Sequence, residues 1–193
     1  MNTYTHVNPL HPPITNNHQS GFSALGFALT GISDASLPSN WRRVPQDPTG
    51  RNVGRCHSQS PITFQMRGIN VMGVAVSDLI GRGPAETPRM LVGGHDMYLQ
   101  EQDGIFLCIR WPGYRHSEYS YKIALNGRGV SRAVLGEIVG EKIKIFYQAA
   151  KYSASSNPRW NVGVQNIRLE QIVLLSLWNT HENYWQAEMA IHA

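Results

Sequence analysis

From residue 61 onward the apolar and polar positions follow two successive rhythms. Ile62-Thr63-Phe64-Gln65-Met66 alternates with period two and predicts a strand. Ile69 to Val76 continues in the same rhythm, with Gly73 marking a bulge or kink. The stretch from Gly81 to Pro88 is rich in turn residues and predicts no persistent element, and Met90-Leu91-Val92 reads as a short strand stopped by Gly93-Gly94. Met97-Tyr98-Leu99 is expected to pair with Gly104 to Trp111 through a loop ending in the tight-turn dipeptide Asp103-Gly104. Tyr119, Tyr121, Ile123 and Leu125 alternate again up to the turn Asn126-Gly127.

The rhythm then changes to that of a helix. Ser131 is a good N-cap, and Leu135, Ile138, Val139, Lys142, Ile145, Phe146 and Ala149 fall on one stripe at spacings of three and four. Lys142 interrupts the stripe, but its stem can lie along apolar surface with the charge outside. The helix is expected to end before Ser153–Pro158, and Ile172 to Trp178 followed by Tyr184 to Ile191 predicts a closing hairpin. The expected fold is α+β: a mostly antiparallel sheet packed against one long amphipathic helix, over residues 61–193.

Residues 1–60 differ in kind. Pro9, Pro12, Pro13, Pro38, Pro45 and Pro48 stand among many Asn, Ser and Gly, which predicts an irregular N-terminal arm. Phe22, Leu25, Phe27, Leu29 and Ile32 form an apolar knot within it, and such a knot is costly to leave in water. Phe22, Leu25 and Phe27 are therefore the expected association residues of the arm.

Composition narrows the class. Charged residues make up only 16%, against about 25% in a typical domain, while 41% hydrophobic residues exclude wholesale disorder. Collagen, coiled-coil and disulfide-scaffold compositions are all excluded. The two cysteines, Cys56 and Cys108, fit neither a disulfide framework nor a zinc ribbon. No apolar run reaches the ~18 residues of a membrane span, no basic-then-apolar signal opens the chain, and no glycosylation sequon occurs. The expectation is an intracellular protein, cytoplasmic or nuclear, without membrane contact.

One string of motifs carries a resemblance. Ile109-Arg110-Trp111-Pro112-Gly113-Tyr114 precedes Ser131-Arg132-Ala133-Val134-Leu135, then Pro158-Arg159-Trp160, then Tyr184-Trp185-Gln186-Ala187. This order resembles a group of uncharacterised proteins of mushroom-forming (basidiomycete) fungi, over roughly residues 105–190. Its members share a strand ending in a Trp-Pro-Gly-Tyr turn, a helix opening with Ser/Thr-Arg, a Pro-Arg-Trp-like loop and a late Trp in a terminal strand. The resemblance implies an α+β domain and implies no activity.

Chemical candidates are few. Eight histidines show no i, i+4 pair of zincin type, so no metal site is expected. Cys108 with His95 or His116 is the one conceivable nucleophile–base pair, set against a buried inert thiol, and no Gly-x-Ser-x-Gly elbow is present. Enzymatic activity and cofactors are not expected. Thirteen Arg against four Lys, with a net charge of +4, favour planar contacts to anions. In residues 110–132, arginines interleave with aromatics as in single-strand binders, which points to Arg110, Trp111, Tyr114, Arg115, Arg128 and Arg132 as a polyanion site. The opposing reading packs the aromatics in the core and leaves the arginines wet. The leading expectation is a non-catalytic domain that associates with a protein partner or with copies of itself. Nucleic-acid binding through residues 110–132 stands second, and a Cys-dependent enzyme third.

Overall fold

The computed structural model describes residues 37–45, 59–115 and 119–192. Among these residues nine strands, a long helix and two short ones follow in the order β1 Trp41–Arg43, β2 Ile62–Thr63, β3 Val74–Ala75, α1 Val76–Gly81, α2 Thr87–Met90, β4 Met97–Gln100, β5 Gly104–Cys108, β6 Ser120–Ala124, β7 Arg128–Ser131, α3 Arg132–Ala150, β8 Ile172–His181 and β9 Tyr184–His192. Short 3-10 turns sit at Pro158–Trp160 and Leu169–Gln171. The fold is α+β.

The β8–β9 hairpin is the spine of the main sheet, and every residue from Ile172 to Asn179 and from Trp185 to Ile191 is buried. β2 and β3 pair antiparallel with β8, while β1 and β5 share the other edge of β9. β5 runs parallel to β9, with Leu107 level with Trp185, and β6 closes the sheet antiparallel to β5. Strands buried on both sides cannot show a clean alternation, hence the continuous apolar run of β8. One face carries the main core, where Ile105, Leu107, Ile109, Leu174, Leu177, Trp185 and Met189 cluster with α3. The alternate positions Val173, Leu175 and Ala190 pack with Leu37, Trp41 and Met72.

Helix α3 begins where its cap predicts: Ser131 Oγ accepts the Val134 N–H at 3.3 Å. Its buried stripe is rotated from the expected one. Ile145 and Ala149 are exposed, whereas Gly136, Gly140, Ile143, Tyr147 and Ala150 are buried. The two glycines explain the rotation, because α1 lies against them. A Cβ at Gly136 would stand 3.1 Å from both Leu79 Cδ2 and Phe64 Cε1, and one at Gly140 would stand 2.9 Å from Ile80 Cγ2.

Other local expectations also change. Met97–Leu99 does not pair with Gly104–Trp111. β4 pairs instead with β7 in a separate two-stranded sheet, with Met97 opposite Ser131 and Tyr98 opposite Val130. Leu99 and Glu101 adopt positive φ (57° and 65°), which swings the chain out of a simple hairpin. The run Ile69 to Val76 yields only the two residues of β3 and then the start of α1. Gly73 (φ 109°) passes so close to β8 that a Cβ there would meet Val173 and Leu175 at 2.7 and 2.8 Å. Part of the Gly81–Pro88 stretch is helical, since α2 starts at Thr87. Met90 ends that helix, and Leu91 makes only an isolated bridge to Met66. The expected irregular arm contributes a paired strand, β1, with Arg42 level with Ile191. Phe22, Leu25 and Phe27 lie outside the described residues. Among the described residues no helix is long and apolar enough to cross a membrane.

Candidate functional site

The basic–aromatic segment does not form one surface. Phe146, near the end of α3, gathers the rings of Trp111, Tyr114 and Tyr119 at centroid distances of 5.6, 5.9 and 4.8 Å. Trp111 Nε1–H donates to the Trp160 carbonyl at 2.7 Å. The Tyr114 hydroxyl donates to Asn161 Oδ1 at 2.9 Å and accepts from the Val162 N–H at 3.1 Å. Gly113 (φ 90°) makes this Trp-Pro-Gly-Tyr turn possible, because a Cβ there would collide with Ser155 Oγ. Trp111 and Tyr114 are buried, so neither offers an open ring face to a base.

The arginines of the segment are dispersed. Arg115 and Arg128 are exposed and Arg110 is half-buried. Arg115 lines an open cleft of about 500 Å³ together with Gly113, Tyr114, Tyr119, Ser153, Ala154 and Ser156. Arg132 lies fourteen residues before Phe146 on the same helix, which at about 1.5 Å per residue places it roughly 20 Å away. Its guanidinium is already spent on its own fold. It donates to the carbonyls of Thr63 and Gly93, to the Tyr98 hydroxyl, and to Asp96 Oδ2 at 3.1 Å. The expected anion contact of Arg132 is therefore an internal clasp.

The nucleophile expectation fares similarly. Cys108 is half-buried with Sγ 3.9 Å from Ser120 Oγ. Burial pushes its thiol up, against weaker downward pulls from Ser120 and Arg110, which is the reverse of an activated thiolate. His95 is exposed on the turn before β4, in the two-stranded β4–β7 sheet region rather than on the main sheet that carries Cys108, and His116 lies outside the described residues. His181 stacks on Tyr184 at 4.5 Å, and His192 Nε2–H donates to the Glu170 carbonyl at 2.8 Å. Among the described residues no three His, Cys, Asp or Glu side chains are grouped to hold a metal ion.

A feature that sequence reasoning missed surrounds the Gly93–Asp96 turn. Val92 and Met97 flank it and are 44% and 49% exposed, while Ile69 and Val134 on adjoining segments are 47% and 42% exposed. Backbone bonds stitch these segments together. Val92 N–H donates to Gln65 O at 3.0 Å, Gln65 Nε2–H donates to Ile69 O at 3.2 Å, and Ala133 N–H donates to Gly94 O at 3.0 Å. The Arg132 clasp joins the turn to β2, β4 and the start of α3, so the apolar side chains are carried on a fixed frame. Arg67 and Arg89, in the segments that carry Ile69 and Val92, and Asp96 on the turn itself are exposed, so both signs of charge accompany these apolar residues. In the sequence these apolar residues look like core residues, and only their exposure distinguishes them.

A scan of protein-family models, a search of curated proteins and a search of solved structures find no match to this chain.

Proposed function

We propose that this chain is a non-catalytic association domain whose partner is a second copy of itself. The observation that carries the reading is the group of four exposed apolar side chains, Ile69, Val92, Met97 and Val134, around the Arg132-clasped turn. The segments that carry them are joined by backbone hydrogen bonds and by the Arg132 clasp, and a rigid frame lowers the ordering cost of binding. A second copy fits the chemistry of the rim. A two-fold interface must be self-complementary, and a face with exposed Arg67 and Arg89 and with Asp96, whose carboxylate stays 58% exposed beside Arg132, offers both signs of charge to its own rotated image. The raised thiol of Cys108 weighs against Cys-dependent catalysis. The reading places the protein inside the cell, in keeping with a free thiol. Solution mass of the wild type against Val92→Asp and Met97→Asp tests it.

A further inference from the structure

A second surface, sharing no residue with that turn, lies at β1. The Arg42 guanidinium lies 4.4 Å above the ring centroid of Trp160, and its Nη2–H reaches the Arg159 carbonyl at 3.5 Å. Trp160 is itself pinned from below, since its carbonyl accepts Trp111 Nε1–H and its ring meets Trp111 edge-on at 6.3 Å. Arg42 is thus held over a fixed indole, which leaves donors of the guanidinium fork for a ligand. Arg159 is exposed beside it. Among the described residues neither arginine forms an ion pair with a carboxylate. Arg42 is instead destabilised as a cation, first by burial and then by the charge of Arg159. An anion held between the two side chains would relieve that repulsion.

We propose that Arg42 and Arg159, on the Trp160 platform, form a binding site for a phosphate group. A carboxylate fills one arginine fork, whereas a phosphate monoester carries about −1.5 to −2 charges near neutral pH and has oxygens for both. The indole is already covered by Arg42 and buried beneath it, so the site recognises the phosphate itself and stacks no base. This site is independent of the association surface, and either can fail while the other stands.

Calorimetric titration of the full chain with inorganic phosphate, at matched chloride ionic strength, tests the proposal. Wild type is expected to bind one phosphate saturably, and Arg159→Gln, on an exposed turn, to bind about ten- to a hundredfold more weakly. Arg42→Lys should weaken binding while keeping the charge, because the fork is lost, and Arg128→Gln should bind as wild type. Titration with a nucleoside monophosphate separates the sources: tighter binding than inorganic phosphate means a phosphomonoester on a larger ligand, and equal binding means free phosphate. Absence of saturable binding, or equal binding by wild type and Arg159→Gln, overturns the proposal. So does binding by an oligonucleotide alone that Arg128→Gln weakens as much as Arg159→Gln.

Discussion

Arg43 on β1 and Glu188 on β9 form an ion pair whose side chains are only 7% and 2% exposed. Ser176, opposite Glu188 in the β8–β9 register, donates its hydroxyl to the other carboxylate oxygen at 2.6 Å. Glu188 is thereby met from both neighbouring strands, and β1 is tied to the sheet by charge as well as by its ladder.

Removing one partner of a buried pair leaves the other charge stranded, while removing both does not. Arg43→Met is expected to lower stability by about 3–5 kcal/mol, read from the urea midpoint. Arg43→Met with Glu188→Met should recover most of that loss. Additive losses in the double variant would show that the pair is uncoupled.

Gly136→Ala sets helix propensity against packing. Alanine gains about 1 kcal/mol over glycine in a helix interior, but the new methyl must enter between Leu79 and Phe64, both fully buried. Overpacking typically costs about 1–3 kcal/mol, so the variant should be less stable than wild type. A rise in thermal midpoint would mean that α1 does not lie against α3 as described.

Alkaline pH should weaken the fold partly through Cys108. Burial raises its folded-state pKa, so as pH climbs the unfolded chain loses the thiol proton first, and stability falls from the usual thiol range upward. Tyr121, raised by burial and by neighbouring Tyr119, acts in the same direction at higher pH. Urea midpoints between about pH 8 and pH 10 should drop less for Cys108→Ala than for wild type. An equal drop would remove Cys108 from the account.

What the sequence revealed was local. The Ser131 cap, the alternating strand that becomes β6 and the β8–β9 hairpin depend on residues near one another in the chain, and each appears where its pattern predicts. Partner choice was not legible. Met97–Leu99 carries the same period-two signal whether it pairs with β5 or with β7, and the choice rests on positive φ at Leu99 and Glu101, which neither residue type announces. The stripe of α3 is not legible in full, because glycine counts as neither apolar nor polar, yet Gly136 and Gly140 face α1. For residues 110–132 the arginines and aromatics were visible, but their separation was not. Phe146 draws the rings inward at one end of the helix while Arg132 is clasped at the other. Arg42 and Trp160 are far apart in sequence, so no motif could join them.

The central claim is self-association through the Gly93–Asp96 face, and light scattering in line with gel filtration, on wild type and on Val92→Asp with Met97→Asp, tests it most directly. The account predicts a wild-type mass of twice 21.6 kDa that persists in high salt, and a folded double variant at 21.6 kDa. A wild type that stays at 21.6 kDa at every concentration, or a double variant that keeps the doubled mass, would contradict it.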